Sequence, residues 1–173
     1  MKNVIAGRPV AGAALRPVLG SVLGSVLLGL AAMGAAEAAG GGLAGLGGSW
    51  SGSGHVHMEN GQREAIRCSA SYAPRAGGTA VGLSLRCASP SGRIELRASL
   101  QASGTRVSGT WEERSYNATG DLSGVAADNS LRLRFSGSLS GAMLVTTNGA
   151  SQSISVQTDV SALKGVNVSL RRR

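Results

Sequence analysis

The sequence predicts an all-β protein, an antiparallel up-and-down meander of about 8 to 10 strands that is a closed or nearly closed barrel, and three observations carry that reading. From Ser49 onward apolar residues alternate with Ser, Arg, Thr and Glu, and no window has the i, i+3, i+4 spacing of an amphipathic helix. The alternating runs recur at intervals of roughly 8 to 12 residues, with short connections rich in Gly, Asn and Asp. Gly109, Gly120, Gly124, Gly137, Gly141 and Gly165 fall inside strands or at their edges, where glycine costs stability unless the backbone must bend. Barrel closure supplies that need. A β-sandwich is the competing architecture, but it calls for long crossovers that are not evident here.

Taken in order, the first strand has Trp50, Val56 and Met58 on one face, and the second has Ile66, Cys68, Ala70 and Tyr72. Val81, Leu83, Leu85 and Cys87 share the inward parity of the third; Ile94, Leu96, Ala98 and Leu100 that of the fourth. Val107, Gly109 and Trp111 make a fifth set, and Ala118 to Val125 a sixth loosened by Gly120 and Gly124. Leu131, Leu133 and Phe135 follow a turn at Asp128-Asn129. The segment from Ala142 to Thr147 leads into Asn148-Gly149, a strong two-residue hairpin signal, and then into Ile154 and Val156. Val166, Val168 and Leu170 form the last strand, which leads into three charges at Arg171, Arg172 and Arg173.

Pairing is most specific between residues 62–72 and 79–88, read as a hairpin about the loop Ala73 to Gly78. Residues whose numbers sum to about 155 then face each other, which sets Cys68 opposite Cys87. Such a non-hydrogen-bonded pair has Cα atoms about 4.5 Å apart, within reach of a disulfide. The compartment agrees. Lys2, Arg8 and Arg16 precede an uncharged stretch from Pro17 to Ala36, and Ala36-Glu37-Ala38 closes it with small residues at the cleavage positions. That is the layout of a Sec-type signal peptide cleaved after Ala38, which predicts a periplasmic or secreted protein in an oxidising compartment.

The domain organisation expected is therefore a signal peptide at 1–38, a Gly-rich flexible linker at 39–48 and one β domain at 49–173. Without the signal the net charge falls from +8 to +6, and the remaining ~135 residues are enough for one core. The arginines on the polar parity and the scarcity of aromatic residues argue against an outer-membrane barrel, which needs an apolar outer band and aromatic girdles. The mature protein is not expected to be integral to the membrane. Nucleic acid is not an expected partner, because 3% aromatic content offers no stacking platform.

Gly48-Ser49-Trp50 at the first strand, echoed by Gly109-Thr110-Trp111 in the fifth, resembles the calycin superfamily, the lipocalin and avidin barrels. That resemblance implies that Trp50 plugs one end of a barrel and that a ligand cavity opens at the other. It assigns Trp111 no such place, so Trp111 is expected only as a structural residue of the barrel, and the resemblance comes without a Thr-Asp-Tyr triplet or a C-terminal helix. Trp50-Ser51-Gly52, Arg67-Cys68, Leu85-Arg86-Cys87-Ala88-Ser89 and Ser108-Gly109-Thr110-Trp111-Glu112-Glu113 also resemble small exported proteins of Gram-negative bacteria, a likeness that implies no activity.

The main functional expectation is a non-enzymatic binding protein for a small apolar or amphipathic ligand, held by inward side chains of which Leu83, Leu85, Leu96, Val107 and Leu133 are candidates. An alternative is an envelope protein binding anionic glycan or lipid through exterior arginines, with Arg67, Arg86, Arg97, Arg132 and Arg134 as candidates. A third is a hydrolase using Glu64, Glu112 or Glu113, but no G-x-S-x-G, H-E-x-x-H or Cys/His pattern accompanies them. An inward Glu64 would need a partner such as an Arg or a Trp N–H. His55 and His57 are spaced as two zinc or copper ligands. They lie opposite the Trp50 face with no evident third ligand, so neither a metal nor any other cofactor is expected.

Overall fold

The structure, a computed structural model, describes residues 43–160 and 162–173. The expected signal peptide and the first residues of the expected linker lie outside them. Ten strands run in chain order: β1 Gly48–Met58, β2 Arg63–Arg75, β3 Ala80–Ser89, β4 Gly92–Ser103 and β5 Arg106–Glu113, then β6 Ala118–Ala127, β7 Ser130–Gly137, β8 Gly141–Asn148, β9 Ser151–Thr158 and β10 Leu163–Arg172. Each pairs antiparallel with the next, and β1 also pairs with β10, so the meander closes into a ten-stranded barrel. The closed sheet leaves no unpaired edge.

The period-2 alternation of the sequence is the inside and outside of this barrel. In β7, Leu131, Leu133 and Phe135 are buried while Arg132, Arg134 and Ser136 are exposed. In β2, Ile66, Cys68, Ala70 and Tyr72 are buried while Arg67, Ser69 and Ser71 face solvent. Tight curvature is carried by inward glycines. A Cβ built on Gly120 would lie 1.7 Å from the Ser136 carbonyl oxygen and 2.7 Å from Trp111 Nε1. No other residue fits there, so the glycine permits both the bend and the docking of the indole.

Three local features differ from the sequence expectations. The β2–β3 connection is shorter than the six residues expected, because Ala73, Pro74 and Arg75 still pair with Gly82, Val81 and Ala80. Pro74 is tolerated because β1 begins opposite Tyr72, so beyond that residue β2 has no second neighbour that needs its N–H. The two-residue loop between β8 and β9 is Gly149-Ala150, one position later than the Asn148-Gly149 expected. Asn148 pairs with Ser151, and Gly149 takes the positive φ of 56°.

The third difference concerns the Gly-rich stretch expected as a linker. Ala44–Leu46 forms a 3-10 turn, and Leu43 and Leu46 are fully buried against the barrel. This turn precedes β1 and marks one end of the barrel, here the plugged end. The loops after β1, β3, β5, β7 and β9 lie at the opposite end.

Candidate functional site

The plugged end is built by residues from both termini. Trp50 is 1% exposed, and its Nε1 donates to the Leu46 carbonyl at 2.9 Å. Arg172 pairs with Trp50 across the β1–β10 seam, and its guanidinium lies 4.4 Å from the ring centroid. The same guanidinium donates to the carbonyl of Gly47 and, at 2.9 Å, to that of Gly45. Arg172 is therefore a clamp on the 3-10 turn and not part of a free run of terminal charges. Nearby, the Tyr72 hydroxyl donates to Gln152 Oε1 at 3.0 Å, and Gln152 Nε2 donates to Thr147 Oγ1 at 3.2 Å. Burial pushes the Tyr72 phenol upward, outweighing the opposite pull of the Gln152 bond, so it stays a neutral donor.

Above this floor the interior is uneven. One side is packed: Val107, Leu122, Leu133 and Phe135 are buried, and Trp111 meets Phe135 edge-on with ring centroids 6.3 Å apart. Trp111 Nε1 donates to the Ser136 carbonyl at 3.2 Å. Elsewhere inward apolar side chains stay only partly buried: Leu83 and Leu85 on β3, Ile94 and Leu96 on β4, Met143 on β8, and Ile154 and Val156 on β9. In the closed strand order β3 stands across from β8 and β4 across from β9. These partly buried residues thus sit on opposite arcs of the closed ring. Of the five lining residues expected, Leu83, Leu85 and Leu96 belong to this partly buried set. Val107 and Leu133 belong to the packed side.

Two of the three candidate carboxylates, Glu113 and Glu64, are committed to hydrogen bonds. Glu113 is 8% exposed and accepts from the backbone N–H groups of Glu95 at 2.7 Å, Tyr116 at 2.7 Å and Ser115 at 3.1 Å. Desolvation is the largest single influence and raises its pKa, but the N–H donors together outweigh it and hold the carboxyl below its ordinary value. Glu64 accepts from the Ser91 backbone N–H at 2.8 Å and from the Ser91 hydroxyl. Its partner is the β3–β4 turn, not the Arg or Trp expected. Hydrogen bonds from the Ser89 and Ser91 side chains and then the Ser91 backbone lower its pKa. Glu112 is exposed and stands in register with Arg97.

The five candidate arginines are all exposed but do not form one surface. Arg67, Arg86 and Arg97 lie on β2–β4, where Arg86 is 3.6 Å from Glu95. Arg132 and Arg134 lie on β7, where Arg132 stands between Val125 and Leu144 and Arg134 between Ser123 and Ala142. A groove of about 520 Å³ runs over this outer face of β6–β9, and nothing in the sequence pattern pointed to it. His55 faces outward; His57 Nε2 accepts from Asn167 Nδ2 at 3.2 Å. Among the described residues no cluster of three His, Cys, Asp or Glu side chains is placed to hold a metal. None of their helices is long and apolar enough to cross a membrane.

No family model matches the sequence, and no curated protein does. Solved structures do match the fold. Rv2717c from M. tuberculosis aligns with a TM-score of 0.62 at 14% identity, over 76% of this chain and 94% of its own. The S-type phycobiliprotein lyase CPES from Guillardia theta aligns with a TM-score of 0.51 at 12% identity, over 75% of this chain and 89% of its own. At these identities the likeness is one of fold: a ten-stranded antiparallel barrel.

Proposed function

We propose that the protein is an exported, non-enzymatic binding protein that holds a small apolar or amphipathic ligand in the lumen of its barrel. The ligand enters at the end away from the 3-10 turn. One observation carries this reading: inward apolar residues on β3–β4 and on β8–β9 remain solvent-accessible across from one another while the other end is plugged. Small-molecule sites are predominantly lined by apolar side chains, and a barrel closed at one end leaves such residues reachable from the other. The commitment of Glu113 to three backbone N–H groups, and of Glu64 to the Ser91 N–H and hydroxyl, supports the non-enzymatic half of the reading, because a carboxylate held as a structural acceptor is a poor proton carrier. The joined cysteines support export, since such bonds persist in oxidising compartments.

Titration of the purified protein with the neutral fluorophore N-phenyl-1-naphthylamine tests the reading. Saturable binding in the wild type, lost in a Leu96→Trp variant that fills the lumen, is the expected result. A wild type that melts cooperatively and does not bind the probe would refute it. Native mass spectrometry of the protein taken from its own envelope then identifies what it carries.

A further inference from the structure

From the outer face of β6–β9 we infer a second binding site, separate from the lumen, for a single-chain amphiphile with a phosphate or carboxylate head group. The arginines on the two sides of the barrel are in different situations. Arg86 has Glu95 beside it, and Arg97 has Glu112 in register. Arg132 and Arg134 have Val125, Leu144, Ser123 and Ala142 as cross-strand neighbours, with no carboxylate among them and no ion pair to either arginine among the described residues. The nearest carboxylate in the ladder is Asp121, one position beyond Ser123 on the outward face, and it makes no ion pair with Arg134.

Solubility alone explains exposed arginines but not their setting. Val125 is 47% exposed and Leu144 is 38% exposed, and they flank Arg132 directly on its two neighbouring strands. Along β7, Arg132 and Arg134 are two positions apart, about 7 Å, so both guanidinium forks can converge on one acidic head group. Val125, Leu144 and Ala142 then offer an apolar strip for the chain, with Ser155 and Gln157 closing the far side. A groove of about 520 Å³ falls within the range of small-ligand sites.

Isothermal titration with dodecyl phosphate below its micellar concentration tests the inference, with inorganic phosphate and anionic phospholipid vesicles as separate arms. Dodecyl phosphate is expected to bind, to weaken with added salt, and to lose about tenfold or more in affinity in Arg132→Gln/Arg134→Gln. A Val125→Ser/Leu144→Ser variant, which keeps both charges, is expected to weaken it as well. Neither exterior variant should change the N-phenyl-1-naphthylamine binding that Leu96→Trp abolishes, and that component reads the lumen, so failure of either site is seen independently. Unchanged dodecyl phosphate affinity in the arginine variant, inorganic phosphate binding as tightly as dodecyl phosphate, or binding to vesicles only would each overturn the assignment.

Discussion

The guanidinium of Arg172 lies 4.4 Å from the centre of the Trp50 ring and joins the last strand, the first strand and the 3-10 turn before it. Stacking and two carbonyl contacts act on one side chain. Arg172→Ala is therefore expected to lower unfolding free energy by roughly 1 to 2 kcal/mol, mostly through the turn. Arg172→Lys should recover only part of this, because one ammonium cannot stack and fork at once. Urea unfolding followed by Trp fluorescence measures both.

Cys68 and Cys87 are bonded and directly opposed in the β2–β3 ladder, with Cα atoms 4.1 Å apart. Closing this loop of about 20 residues stabilises by roughly 3 kcal/mol in the chain-entropy account. Cys68→Ala/Cys87→Ala, or reduction with dithiothreitol, should lower the melting temperature by several degrees. An unchanged melting curve after reduction would show that the bond contributes nothing to stability.

Gly120 has no room for a side chain between the Ser136 carbonyl and the Trp111 indole. Gly120→Ala is expected to destabilise by about 2 kcal/mol or more and to shift Trp emission, since the strand or the indole must move. Gly45→Ala, with nothing within 4 Å of the added carbon, is the matched control and should be close to neutral.

Glu113 has a carboxyl held below its ordinary value by backbone donors. Its contribution is complete above the unfolded-state carboxylate pKa of about 4.3 and is lost as pH falls through the lower folded value. Acid unfolding monitored by circular dichroism should accordingly be less steep in Glu113→Gln. That variant should also be less stable at neutral pH by roughly 1 to 3 kcal/mol, as expected for loss of charge-assisted hydrogen bonds.

Much of the fold is legible because a strand has a period of two. Alternation sorted Leu131, Leu133 and Phe135 from Arg132 and Arg134, and the same parity set His55 and His57 outside. Hairpin geometry put Cys68 opposite Cys87, since residues paired across one turn have a constant number sum. The plug was less legible. Leu43 and Leu46 stand among glycines whose composition reads as linker, and only contact with the barrel end makes them core.

The site divides in the same way. Parity identifies Leu83, Leu85, Leu96, Val107 and Leu133 alike as inward, but cannot tell which of them meet a packed neighbour. That depends on strands far apart in sequence. Trp111 and Phe135 pack on one side of the barrel, while Leu85 lies on β3, across the ring from β8, and stays partly exposed. The arginines look equivalent in the sequence until register gives Arg97 a glutamate and Arg132 two apolar neighbours.

The sequence by itself determined the all-β class, the face of each strand and the pairing of the cysteines, because these follow from local backbone geometry. Only the tertiary structure decided that β10 closes on β1, that Arg172 clamps Trp50, which side of the barrel is filled, and that a groove lies over β7. Those outcomes depend on which residues meet around a closed ring, and no local period encodes it.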